Sequence, residues 1–327
     1  MGGKDMKRSI CFILLCLCYI FVSSVEVNAD VNEYELRLEY YHKYAAKTGI
    51  DWYYIAAIDQ YERNTKNYRH YCPKQNEIIS ICFDERLWSG INNPVYDDKN
   101  TDRINIFGGI GFDGDEDGYA DRLNPDDRLY TMVKIITAYG ITEDSIEQAL
   151  LEYYRTEKGV QIIKQIALLF KHFNRIDLDK RVHPIPKGYN ASVVNNYGDK
   201  RSFGGPRLHE GVDIFAPTGT PVVATAYGYV EVKGWNRLGG YRLGIRDIYN
   251  TYEFYAHLNS YAKGIEEGSI VRPGQVIGYV GSTGYGNEGT RGKFPPHLHF
   301  GLYKFDGKKE WSFDPYPYLK KWEKVRI

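Results

Sequence analysis

The sequence predicts an α+β multidomain chain, with an all-α domain over residues 30–180 followed by an antiparallel β domain over residues 181–327. Three observations carry this. Apolar residues recur at helical spacing through most of residues 31–176, apart from one polar stretch. Pro184 and Pro186 then disfavour helix and favour extended backbone. Beyond them come short β runs punctuated by Gly and Pro, as at Gly239-Gly240 and Arg272-Pro273-Gly274. A length of 327 residues also exceeds the usual size of one domain.

Residues 1–29 read as a targeting element. Lys4, Lys7 and Arg8 precede an apolar run from Ile10 to Val22, and Val27-Asn28-Ala29 offers a small residue for cleavage, the pattern of a secretory signal peptide. The run is short for a spanning helix of about 20 residues; an uncleaved membrane anchor reaching Val25 is the alternative. Leu15, before Cys16, is too bulky for the usual lipoprotein signal. The chain is therefore expected to be exported. Cys11, Cys16 and Cys18 fall in this leader, which leaves only Cys72 and Cys82. A lone pair in an exported protein invites a disulfide, and two buried free thiols are the other reading.

In the helical part, Tyr34 to Tyr44 carries one amphipathic run, and Asp51 sits where an N-cap would precede Trp52 to Ile58. Thr142 has the position of a second cap before Ser145-Ile146-Glu147, and Val160 to Phe173 forms a further amphipathic run. Between them, residues 92–127 read as a polar loop region. Within it Asp113, Asp115, Asp117 and Asp121 occupy positions 1, 3, 5 and 9 of a calcium-type loop, with Gly118 at position 6. Asn124 stands where a closing Glu belongs, so Ca2+ binding competes with a solvated acidic turn.

The β runs are expected at 221–225, 227–232, 243–248, 253–256, 276–280 and 297–303. Formal net charge is zero, so the basic footprint of a nucleic-acid binder is absent. Chemistry concentrates in the histidines of this part. His209 and Asp213 supply an imidazole and a carboxylate close in sequence, and His297-Leu298-His299 places two imidazoles on one face of a strand. Two nitrogens and one oxygen, with a fourth position left for water, make the ligand set of a catalytic zinc. Spacing alone leaves this open, because each piece also occurs as an ordinary surface or core residue.

Motif order says more. Arg207-Leu208-His209-Glu210-Gly211-Val212-Asp213-Ile214, Gly219-Thr220-Pro221-Val222-Val223-Ala224, Tyr255-Ala256-His257-Leu258, Val280-Gly281-Ser282-Thr283-Gly284 and His297-Leu298-His299-Phe300 follow one another in the chain. Together they make residues 183–317 resemble the LytM/lysostaphin-type (M23) metallopeptidase domain. The resemblance implies a peptidoglycan hydrolase with one Zn2+ on His209, Asp213 and His299. It also implies that His257 and His297 stay off the metal and act on water and oxyanion. A non-catalytic wall-binding scaffold is the alternative, against which the five intact positions argue. Length, leader and layout are similar to the sporulation-associated endopeptidases of endospore formers. That likeness implies cleavage of stem peptides, at L-Ala–D-Glu in spore cortex formation, and a place at the cell wall or forespore envelope.

Gly49 to Glu62 and Leu123-Asn124-Pro125-Asp126-Asp127 are distantly similar to lysozyme-like helical domains of the lytic-transglycosylase type. That resemblance implies Glu62 as a glycan-cutting acid or as part of a degenerate glycan site. Arg63 stands where a Ser usually follows this Glu, which argues for the degenerate form.

Overall fold

The computed structural model describes residues 32–69, 71–72 and 77–325. The expected leader and its three cysteines lie outside the described residues. No helix among the described residues is long and apolar enough to cross a membrane.

The helices form where apolar spacing and caps coincide. They are α1 (Glu33–Thr48), α2 (Trp52–Thr65), α3 (Glu85–Ser89), α4 (Thr101–Ile106), α5 (Pro125–Ile136), α6 (Glu143–Tyr154) and α7 (Glu157–Phe173). Helix α7 buries Ile162, Ile163, Ile166, Leu169 and Phe170 at helical spacing. Each such side chain contributes about 1.5–3 kcal/mol on burial. Thr142 caps α6 through the Ser145 N–H. Asp51 has the extended backbone of an N-cap, but its carboxylate accepts from the Tyr53 hydroxyl instead of a helix N–H. The stretch expected as loop over 92–127 holds α4 and the start of α5. The latter is signalled by Asn124, which caps the Asp126 N–H, and by Pro125 at the first helical turn.

The remaining elements are β1 (Ser192–Val194), β2 (Lys200–Arg201), β3 (Arg207–Leu208), β4 (Val212–Phe215), β5 (Pro221–Val223), β6 (Gly228–Asn236), β7 (Gly240–Asp247), β8 (Thr251–Tyr261), β9 (Ile270–Val271), β10 (Val276–Val280), β11 (His297–Phe305), β12 (Glu310–Phe313) and α8 (Tyr316–Trp322). All strand pairings are antiparallel, and the main sheet runs in the order β1-β4-β11-β8-β7-β6-β9, with β2 and β3 forming a separate ribbon. The core of the sheet is built on Val212, Ile214, Tyr255, Leu298 and Phe300. On β4 and β11 these alternate with Asp213, His297 and His299, as a period of two requires.

Helical and β parts meet directly. Lys158 of α7 pairs with the buried Glu231 of β6 at 2.9 Å, and the Asn64 amide of α2 donates to the Ile248 carbonyl at 2.8 Å. Ile248 and Phe305 pack into the helical core. The connecting segment is anchored as well. Arg181 pairs with the fully buried Glu253 at 2.8 Å and with Asp247. Glu253 in turn accepts hydrogen bonds from Thr225 and Tyr255. Residues Glu33–Ile327 thus make one compact unit.

Candidate metal centre

Strand register brings the first two candidate ligands together. In the β4–β11 pair, Asp213 stands opposite His299, and Phe215 stands opposite His297. The third comes from the end of the β2–β3 ribbon, where the His209 N–H donates to the Asp199 carbonyl. Gly211 lies under His299, and a Cβ there would come within 2.7 Å of its ring, so the close approach needs glycine.

The atoms converge. His209 Nε2 is 2.8 Å from His299 Nδ1 and 3.2 Å from Asp213 Oδ1, and His299 Nδ1 is 3.4 Å from the same oxygen. His209 Nδ1 faces the Asn196 carbonyl at 2.9 Å, and a carbonyl can only accept. Nδ1 therefore carries a proton, and Nε2 points into the cluster. Asp213 Oδ1 is buried and has no hydrogen-bond partner. A buried carboxylate oxygen without a hydrogen-bond partner, facing two imidazole nitrogens, calls for a cation. Tetrahedral Zn–N bonds of 2.0–2.1 Å place ligand atoms about 3.3 Å apart, so these residues fit a zinc ion.

Charge states agree with that fit. Burial pulls the Asp213 carboxyl upward, but the His209 and His299 rings outweigh it and hold the group well below the usual carboxylate range. Burial lowers His299 and His297. His257 is lowered to about 3 by burial and by the His297 and His299 rings. All three rings are neutral near pH 7.

Asn196 is a residue that sequence reasoning missed. Its amide donates to Asp213 Oδ2 at 2.8 Å, its side-chain oxygen accepts from the Asp213 N–H at 3.2 Å, and its carbonyl holds His209. One residue thus orients two candidate ligands, as outer partners of metal ligands do. No motif around it pointed to this role.

His257 reaches the site by a backbone irregularity. Period-two alternation would put it on the face of Tyr255, in the core. Instead its φ is +62°, and the pairing of this stretch of β8 slips against both β7 and β10. This bulge turns the ring toward His297, with centroids 4.8 Å apart. Such a backbone in a non-glycine residue costs about 1–3 kcal/mol and persists where surroundings enforce it. Here the His257 N–H donates to the Gly239 carbonyl at 2.7 Å, and Nδ1 donates to the Thr283 carbonyl at 2.8 Å. Thr283 is fixed by its own bond to the Leu258 carbonyl. His297 Nδ1 donates to the Pro295 carbonyl at 2.8 Å, and its Nε2 is 3.5 Å from Asp213 Oδ1. In both rings Nε2 is left as the nitrogen available for chemistry. The histidines, Tyr285 and Phe294 line one cleft of about 540 Å³, of the size of a small-ligand site.

The other candidates lie apart from this cluster in the chain. Glu62 is fully buried, with one oxygen paired to Arg69 and the other accepting from Tyr154 at 2.6 Å. Both carboxylate oxygens are engaged within the protein. The four expected calcium-loop oxygens do not converge. Asp113 accepts from the Glu116 and Gly118 N–H groups, Asp117 from Tyr119, and Asp121 pairs with Lys99. Asp113 and Asp115 group instead with the buried Asp127, which holds the Gly114 and Asp121 N–H groups. Short-range hydrogen bonds to backbone N–H groups close this loop. Cys72 and Cys82 are joined as a disulfide, their Cα atoms 5.6 Å apart.

Residues 207–315 match Peptidase family M23. The chain is 53% identical over 288 residues to the L-Ala–D-Glu endopeptidase of Bacillus subtilis (strain 168), with 88% of each chain covered. It is 34% identical over 142 residues to lysostaphin of Staphylococcus simulans, covering 40% of this chain and 27% of lysostaphin. Among solved structures, the catalytic domain of the S. simulans lysostaphin is 32% identical. That match covers 46% of this chain and 96% of that one, with a TM-score of 0.29. The family match falls on the segment that carries the converging ligands, and the Bacillus likeness extends through most of the helical part. On both grounds the chain belongs to peptidase family M23.

Proposed function

We propose that this protein is a zinc endopeptidase that hydrolyses the L-Ala–D-Glu bond of peptidoglycan stem peptides. The observation that carries the chemistry is the convergence of His209 Nε2, His299 Nδ1 and the unpartnered Asp213 Oδ1 in an open cleft. The choice of bond rests on the 53% identity to the Bacillus endopeptidase. Such a substrate lies outside the cytoplasm, in keeping with the leader expected over residues 1–29.

His209, Asp213 and His299 would hold the metal, with Asn196 fixing the orientation of the first two. A zinc ion so held would supply Lewis acidity and acidify the attacking water. The chain provides the rest. The walls of the cleft orient the peptide. Nε2 of His257 and of His297, with Nδ1 protonated toward a carbonyl, accept a proton from the attacking water and return it to the departing amine. Once protonated, either Nε2 also donates to the oxyanion.

This division of labour predicts that His257→Ala and His297→Ala each lower turnover about 10²–10⁴-fold while zinc stays bound. Metal analysis of the purified variants checks it, and zinc lost from either variant assigns that ring to the metal instead. For the bond itself, purified zinc-loaded protein is incubated with peptidoglycan and the soluble fragments are weighed by mass spectrometry. Peptides beginning at D-Glu are expected. Anhydro-sugar ends would point to Glu62 chemistry, and an absence of products from a wall of the right type would point to a scaffold.

A further inference from the structure

The β2–β3 ribbon carries an unfavourable pairing. Arg201 and Arg207 are direct cross-strand neighbours, so their side chains leave the same face of the ribbon. Like charges placed this way repel. Both line the cleft that holds the ligand cluster. Arg201 Nη2 is 3.1 Å from Asp213 Oδ2, which fixes the direction of that face: it looks into the site. Arg207 donates to the Phe203 carbonyl and has no carboxylate partner among the described residues. Of the two guanidinium groups only that of Arg201 meets a carboxylate, and that carboxylate is committed to the site. Local conflicts of this kind concentrate at functional or strained sites.

We infer that Arg207, supported by Arg201, is a specificity-determining carboxylate subsite for the D-Glu residue of the substrate. The inference rests on the proposed L-Ala–D-Glu cleavage. A glutamate residue has two carboxyl groups, and chain continuation uses one of them. The other stays ionised near pH 7. Glutamate contributes the nitrogen of the scissile bond, so this carboxylate enters the cleft beside the reacting atoms. The flat guanidinium fork of Arg207 matches a carboxylate in two hydrogen bonds. Glu210, the acidic side chain next to the ribbon in this cleft, is engaged by the Tyr303 hydroxyl and leaves Arg207 unpaired. A neutral glycine peptide offers nothing to this subsite.

The test uses the zinc-loaded protein and two synthetic stem peptides that differ only in whether the free D-Glu carboxyl is ionised or converted to its amide. The wild-type protein is expected to favour the ionised peptide in kcat/KM by about tenfold or more, the scale of a charged hydrogen-bonded pair. Arg207→Gln is expected to bring that ratio close to one, chiefly through KM. Arg207→Lys, which keeps the charge and loses the fork, should retain part of the preference. Zinc content should match the wild type in both. Equal cleavage of the two peptides by the wild-type protein would overturn the subsite and leave the endopeptidase reading standing. A ratio unchanged in zinc-replete Arg207→Gln and Arg207→Lys would do the same. Cleavage of neither peptide by the wild-type protein would remove the L-Ala–D-Glu reading and the subsite with it.

Discussion

Replacing His299 by alanine is expected to reduce bound zinc from about one ion per chain to near zero. Hydrolysis should fall by at least about a thousandfold, since Lewis-acid stabilisation is worth several kcal/mol and each 1.36 kcal/mol is tenfold in rate. The reason is geometric. His299 Nδ1 is 2.8 Å from His209 Nε2 and 3.4 Å from Asp213 Oδ1, and removing it leaves two ligand atoms on one side of the site. His297 lies two residues away on the same strand face, yet register puts it opposite Phe215 and hands its Nδ1 to Pro295. Metal analysis with a peptide assay decides the matter. Zinc retained in His299→Ala and lost in His297→Ala would reverse the assignment.

Arg181→Ala is expected to lower stability by about 3–5 kcal/mol, because it leaves the buried carboxylates of Glu253 and Asp247 without their cation. For a chain of this size the thermal midpoint should fall by roughly 10 °C. Arg175 makes a comparable pair with Asp177, but both side chains are substantially exposed, so Arg175→Ala serves as the control, worth at most about 1 kcal/mol. Calorimetry on the two variants tests the contrast. An equal, small shift in both would show that the connection between helical and β parts does not depend on Arg181. Because Glu253 lies in the same strand as His257, some loss of zinc-dependent activity near the lowered midpoint should accompany the unfolding.

Local patterns made much of the fold legible. Helices α1, α2, α6 and α7 fall where apolar spacing or a cap signal placed them, and the longer strands β6, β7, β8, β10 and β11 overlap the expected runs. The short strand β5 also falls in its expected run at 221–225, but other short strands were not legible. Strand β4 has only four residues, and β2 and β3 have two each, too few for a period to show. Helix α5 begins inside an acidic loop, and its Asn-Pro start is a cap signal that composition obscured. The calcium-type spacing misled for a related reason. It counts oxygens along the chain, whereas Asp117 and Asp121 each spend theirs on a nearby N–H group or lysine, and the buried Asp127 joins from outside the spacing.

The sequence by itself determined which side chains are available for metal chemistry and that His297 and His299 share a strand face. Both follow from residue identity and the covalent period of two. Only the tertiary structure decided that Asp213 stands against His299, that a bulge turns His257 out of the core, and that Asn196 holds two candidate ligands at once. It also decided that Glu62 lies sealed between Arg69 and Tyr154. The physical reason is the same in each case. Register, bulges and burial are set by the packing of segments far apart in the chain, and no local window contains that sum.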